Sequence, residues 1–160
     1  MRNRIKIVIC ILPLLLSGGP LAQAQTIIGL GGDVVLSSSG EGPCFAAAVS
    51  PGLQMKMALL QASMGYDTGH KVFMSLSFLP RIYGDREHEF NLYLGAGAAA
   101  AVIPAAAGRH RVRAGIYPSV QAEVFLTGKV ALYAEAKIPF YMTDGITKEM
   151  RYSLGVRYMI

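Results

Sequence analysis

The sequence predicts an all-β fold, an eight-stranded antiparallel up-and-down transmembrane β-barrel. Three observations carry that prediction. After residue 25, apolar residues recur at every second position over most of the chain, the period of strands with two unlike faces. Seven clusters of turn-forming residues divide this stretch into eight segments, an even number with short connections, as a barrel in a bilayer has. The amino terminus has the layout of an export signal.

Composition and the amino terminus come first. Of 160 residues, 52% are hydrophobic and only 16% charged, with 18 glycines and no tryptophan. A disordered chain needs more charge and fewer apolar residues than this. The same scarcity of charge argues against a nucleic-acid partner read through a basic face. Residues 1–24, MRNRIKIVICILPLLLSGGPLAQA, open with Arg2, Arg4 and Lys6, run through apolar Ile7–Leu16 and end Ala22-Gln23-Ala24. This is the pattern of a cleaved secretory signal peptide, leaving 25–160 as the barrel domain. The apolar run, interrupted by Pro13, falls well short of the roughly 20 residues a spanning helix needs. Removing it takes Lys+Arg from 15 to 12 and leaves Asp+Glu at 10, so a net charge of +5 becomes +2. Of the two cysteines only Cys44 remains, so no internal disulfide forms. With no basic neighbour in sequence, it reads as a small apolar filler.

The breaks are SSSGEG (37–42), SPG (50–52), YDTG (66–69), YGDRE (83–87), PAAAGRH (104–110), TGK (127–129) and TDGITKE (143–149). They bound strands at about 26–36, 43–50, 53–65, 70–82, 88–103, 110–126, 129–142 and 149–160. In the first two, Gly29, Gly31 and Gly32 dilute the alternation, and the third is placed by its flanking breaks. In the fourth, Val72, Met74, Leu76 and Phe78 alternate with Lys71, Phe73, Ser75 and Ser77. In the fifth, Phe90, Leu92 and Leu94 alternate with Glu89, Asn91 and Tyr93. The sixth sets Val112, Ile116, Val120 and Val124 against Arg113, Tyr117, Gln121 and Glu123. The seventh sets Leu132, Ala134, Ala136 and Ile138 against Tyr133, Glu135 and Lys137. The eighth carries Met150, Tyr152, Leu154, Val156, Tyr158 and Ile160 on one face. Strand parity puts both ends of the barrel on the periplasmic side and breaks 37–42, 66–69, 104–110 and 142–149 outside.

Alternation alone does not say which face points inward. A soluble ligand carrier of eight strands is apolar inside, whereas an outer-membrane barrel is apolar toward lipid and polar toward its lumen. The polar faces of the last three strands carry Arg113, Glu123, Glu135, Lys137, Arg151 and Arg157, with Gln121 among them. Both signs are present, and the opposite faces of the same strands carry no charge. Opposite charges satisfy one another in a narrow lumen where unpaired ones are expensive. The expectation is therefore a lumen charge network of those six residues, with no water-filled pore.

The ending MRYSLGVRYMI resembles the C-terminal assembly signal of bacterial outer-membrane proteins, a polar residue, Gly two later, and aromatic or apolar residues three and five beyond. Ser153, Gly155, Tyr158 and Ile160 stand at those positions, Ile160 departing from the usual aromatic ending. A terminal strand of this kind pairs with the first and closes the wall, leaving no edge exposed. The resemblance implies a small outer-membrane β-barrel protein handled by the outer-membrane assembly machinery. The stretch SVQAEVFLTGKVALYAEAKIPFYMTDG, taken with YSLGVRYMI, is similar to the last strands of the conjugal-transfer TraO proteins of conjugative transposons. That likeness covers roughly the last 45 residues and implies a place among envelope or transfer proteins, with no functional residue carried over.

Chemistry is sparse. A lipid deacylase on such a barrel needs His and Ser two apart on a strand. None of His70, His88 and His110 has that neighbour, and all three sit beside turns. His70 near Asp67 and Thr68 is the closest approach to a lipid-acylating constellation. Glu87, His88 and Glu89 cannot converge on a metal, because adjacent strand residues face opposite ways. GAGAAAA at 95–101 lacks the Lys-Ser/Thr of a phosphate loop. No catalytic, cofactor or metal residue is assigned. Arg109 and Arg111 are the candidates for contacting lipopolysaccharide phosphates. The expected function is a structural or interaction role in the cell envelope with outer-membrane lipid around the barrel. The alternatives are an outer-membrane lipid-modifying enzyme and a soluble periplasmic ligand-binding barrel.

Overall fold

The computed structural model describes residues 24–37, 43–84, 89–104, 110–142 and 147–160. Residues 1–23 of the predicted signal peptide, Glu87, His88 and Arg109 lie outside these residues. The segments are β1 (Gln25–Ser37), β2 (Cys44–Gln54), β3 (Ala58–Asp67), β4 (Val72–Tyr83), β5 (Phe90–Pro104), β6 (His110–Phe125), β7 (Val130–Lys137), β8 (Phe140–Tyr141) and β9 (Thr147–Met159). β7 and β8 are halves of one strand, so the wall has eight. Each strand pairs antiparallel with the next, and β9 closes on β1 along Ile27–Ser37. Closure leaves every strand with a partner on both sides and the wall with no open edge, the condition for crossing hydrocarbon.

Two expectations from the turn chemistry are corrected. Ser50-Pro51-Gly52 is not a turn. These residues run inside β2, opposite Gly29, Ile28 and Ile27, and the chain reverses at Met55–Met57 instead. Pro51 is tolerated because it points outward and its missing N–H falls where the β2–β3 ladder skips from Val49 to Gly52. The seventh strand is not continuous over 129–142 but breaks at Ile138-Pro139, where proline cannot donate. The wall stays closed there because Ile138 N–H donates to Pro118 O at 3.2 Å and Glu149 N–H to Pro139 O at 3.1 Å. Glu149, expected in a turn, therefore lies within β9. The TGK turn forms as expected, with Thr127 Oγ1 accepting from the N–H groups of Lys129 and Val130 at 3.2 and 3.1 Å.

Following cross-strand partners from Ile27 leads through Gly52, Gln61, Ser77, Gly97 and Tyr117 to the Pro139 and Glu149 pair, and back to β1 at Ser37. The stagger is the ten residues from Ile27 to Ser37. For eight strands at about 4.8 Å spacing and about 3.3 Å rise it sets a tilt of roughly 40° and a radius of roughly 8 Å. Such a bore holds side chains and little else.

The outer face is apolar all round: Leu30, Val49, Met64, Leu76, Leu94, Ile116, Val120, Leu132 and Leu154 are all exposed. Exposed Phe45 and Tyr66 stand toward one rim, with exposed Tyr83, Phe90 and Tyr158 toward the other. At the rise and tilt above, these bands are roughly 25 Å apart, the height of a lipid-facing girdle pair. Tyr93, Tyr117, Tyr133 and Tyr141 are buried in the lumen instead.

At the β3–β4 hairpin, Asp67 O accepts from His70 N–H at 3.0 Å and Asp67 Oδ1 from Lys71 N–H at 2.9 Å. The turn needs a left-handed residue at position 70, and the glycine sits one residue too early, so His70 adopts φ 60°. Its ring is held by the Tyr66 hydroxyl, 2.6 Å from Nδ1. Substituting His70→Gly should raise stability by about 1 kcal/mol through relief of that backbone; a higher urea midpoint in detergent is the check.

Candidate functional site

Polar residues occupy the lumen, and they are organised. On β6, residues Tyr117, Ser119, Gln121 and Glu123 point inward in succession; on β7, Tyr133, Glu135 and Lys137; on β9, Glu149, Arg151, Ser153 and Arg157. The facing half of the wall, β1 to β5, contributes mostly small residues, among them Gly29, Gly31, Ser50, Ser63, Gly65, Ser77 and Gly97. Long side chains from one half thus reach into space left by the other.

Three stacks repeat the same parts. In the first, Arg157 Nη1 donates to Glu123 Oε1 at 2.5 Å and Nη2 to Gln61 Oε1 at 2.5 Å, while its guanidinium lies 4.9 Å from the Tyr133 ring centre. Gln121, with its amide oxygen turned to Arg157, accepts at 2.9 and 3.0 Å. Tyr93 OH donates to Glu123 Oε2 at 3.0 Å, and Gln54 Nε2 to Tyr93 OH at 3.1 Å. In the second, Lys137 Nζ is 3.3 Å from Glu135 Oε2 and 5.9 Å from the Tyr117 ring centre, and Ser119 Oγ donates to Glu135 Oε1 at 2.7 Å. In the third, Arg151 Nη2 is 3.1 Å from Glu149 Oε2 and its guanidinium is 4.2 Å from the Phe73 ring centre. Each cation thus has a carboxylate on one side and an aromatic face on another, which together replace much of its lost hydration.

Each ring in turn lies on a glycine directly opposite in the register: Tyr133 on Gly155, Tyr117 on Gly97 and Phe73 on Gly65. A Cβ at Gly155 would stand 2.7 Å from Tyr133 Cε1, and one at Gly97 2.5 Å from Tyr117 Cζ. Tyr133 also covers Gly31, which explains why β1 shows so little alternation in sequence. A Gly155→Val substitution should cost about 1–3 kcal/mol by overpacking. Tyr133→Ala in the same chain should recover part of it, read as the coupling in a double-mutant cycle of urea midpoints.

Of the six residues expected in a lumen charge network, Glu123, Glu135, Lys137, Arg151 and Arg157 all join a stack. Arg113 lies higher, half-buried opposite Ala101 and outside the three. Glu149, Gln61, Gln54 and Tyr93 belong to the stacks and were not singled out from sequence. The alternation that marks Arg151 also reaches Glu149, but the turn assignment hid it; Gln54 was hidden by the misplaced SPG turn. Ser153 points into the lumen, Gly155 lies beneath Tyr133, and Tyr158 and Ile160 are exposed on the outer face. Arg111 and His110 are exposed at the loop rim. His70 and Asp67 do not pair through their side chains: the ring is engaged by Tyr66 and Asp67 Oδ1 by a backbone N–H. Among the described residues, no three His, Cys, Asp or Glu side chains gather to hold a metal.

Beside the first stack, toward the rim opposite the loops, Ile27, Leu59, Leu79, Tyr93, Ala131 and Met159 form an apolar cluster with Phe125 against it, Tyr93 belonging to both. A polar interior, an apolar girdled exterior and a closed eight-strand wall define an outer-membrane type of β-barrel. Solved structures agree with this class. The chain is similar to the N-terminal β-barrel domain of Pseudomonas aeruginosa OprF, with TM-score 0.66 and 16% identity over 86% of this chain and 100% of that one. It is similar to Neisserial surface protein A, with TM-score 0.62 and 16% identity over 86% of this chain and 97% of that one. Ail, the attachment invasion locus protein of Yersinia pestis, follows at TM-score 0.54 and 13% identity, with 86% and 97% covered. At these identities the likeness is one of fold. No protein-family model matches the chain, and no curated protein matches it in sequence.

Proposed function

We propose that this protein is a membrane-embedded scaffold of the bacterial outer membrane, with a structural or interaction role rather than transport. The observation that supports it best is the filled bore: three stacks of paired charge and ring, the first of them set beside an apolar cluster. A lumen so occupied serves to hold the wall shut, and what the protein offers to others is its outer face and loop rim. In this reading the chain reaches the membrane after cleavage of residues 1–24. Ser153, Gly155, Tyr158 and Ile160 are then read by the assembly machinery, and Arg109 and Arg111 meet lipopolysaccharide phosphates at the rim. The TraO-like ending adds a place beside other envelope proteins of a conjugative apparatus.

Fractionation tests it. The protein should appear in the outer membrane as a band that migrates differently with and without boiling on a detergent gel, and should give no steady conductance in a planar bilayer. A periplasmic band that needs no detergent would sink the membrane reading. Stable open channels would sink the scaffold reading while leaving the barrel intact.

A further inference from the structure

The outer wall is not uniformly filled. Across β1 to β4 it carries an apolar groove of about 530 Å³ bordered by Leu30, Val49, Met64, Tyr66 and Val72, with Ala47 in its floor. All of these lie on the lipid-facing side of their strands. Measured by strand rise and tilt, the groove runs roughly 14 Å along the axis, from mid-barrel to the loop rim. That is about half of the roughly 30 Å hydrocarbon core, the depth of one leaflet. Its upper end is polar: Tyr66 lines it, and Tyr66 OH holds His70 at 2.6 Å. Exposed His70 is fixed there by a left-handed backbone, exposed Thr68 stands beside it and Lys71 follows. The hairpin's acid, Asp67, is 1% exposed and faces away into the lumen side. A second groove of about 360 Å³, on β5, β6, β7 and β9 around Ala122, Ala134 and Ala136, also has a tyrosine in its lining, but the Tyr152 hydroxyl turns to Met150 Sδ and holds no histidine.

We infer that the groove on β1 to β4 holds one acyl chain of a lipid in the loop-side leaflet, and that His70 at its mouth contacts that lipid's anionic phosphate headgroup. Depth, apolar lining and a polar end facing the headgroup layer match a single lipid molecule better than a protein segment, whose backbone would go unpaired in this position. The imidazole, with Nδ1 engaged by Tyr66, leaves Nε2 to face the phosphate.

The inference rests on the membrane reading above, and its test separates the two. Refolded protein is mixed with equal amounts of dimyristoyl phosphatidylglycerol and dimyristoylglycerol, and native mass spectrometry counts the lipid retained after release from detergent. The wild type should retain one phosphatidylglycerol in clear preference to diacylglycerol. Ala47→Leu, which fills the floor, should lower retention at least fivefold while the band still shifts on boiling. Ala134→Leu, in the second groove, should leave retention unchanged. His70→Gly should keep a lipid but lose the preference for phosphate. Retention equal in wild type and Ala47→Leu, or absent from a wild type that shifts on boiling, overturns the groove. An undiminished preference in His70→Gly overturns the headgroup contact. Failure of the wild type to shift on boiling would instead overturn the barrel reading itself.

Discussion

An Arg157→Met variant should be less stable by about 3–5 kcal/mol, the usual result of removing one member of a buried ion pair. Arg157 is fully buried and serves Glu123, Gln61, Gln121 and the Tyr133 face at once. Its loss strands the Glu123 carboxylate with only Tyr93 OH and, at 3.5 Å, Gln54 Nε2 as donors. The loss is therefore dominated by what is left unpaired, not by the attraction removed. Replacing both partners, Arg157→Met with Glu123→Leu, should return part of the stability, the rest staying lost because the buried Gln61 and Gln121 oxygens lose their donor. Urea titration of the refolded protein in lipid vesicles is the measurement. A single variant within 1 kcal/mol of wild type, by the scale of exposed pairs, would show that the stack does not bear on stability.

Leu154→Arg should cost about 2–4 kcal/mol in vesicles, the range for a basic residue at the bilayer midplane of a barrel. Leu154 is 69% exposed on the outer face, midway between the aromatic bands. The same change at Phe45, exposed near the rim, should cost only about 0–1 kcal/mol. This depth dependence separates the two inside–outside assignments. On a soluble barrel both positions would be solvent-exposed surface, and arginine would be nearly neutral at either, within about 0.5 kcal/mol. Equal midpoints for Leu154→Arg and Phe45→Arg would argue that the wall does not face hydrocarbon.

Strand count, closure and facing were readable because a barrel repeats one simple rule. Each strand alternates, and the charges of β6, β7 and β9 that meet in the stacks fall on one parity while Val120, Leu132 and Leu154 fall on the other. What the sequence concealed depends on pairing between strands. Pro51 reads locally as a turn, and only the gap in the β2–β3 ladder makes it acceptable within a strand. Gly29 and Gly31 look like weak strand formers until Tyr133 lies across them. The stacks were half visible: Glu135 and Lys137 are neighbours on one face of β7, but Arg157 meets Gln61 across 96 residues, and Arg151 meets Phe73 only because the wall closes. Alternation says which residues face inward; register decides which of them meet.

β9 supplies the cations of two stacks, while their ring and acid partners are spread over β4, β6, β7 and β9 itself. Until β9 docks between β7 and β1, Arg157 has neither Glu123 nor Tyr133. A β7–β9 hairpin that entered the membrane ahead of the others would carry Arg157 into hydrocarbon without its Glu123 carboxylate, at a cost of at least about 2.5 kcal/mol. Piecewise insertion is thereby discouraged, and the last strand can cross cheaply only as the wall shuts. The interior ion pairs thus act on the order of events, coupling entry into the membrane to completion of the barrel.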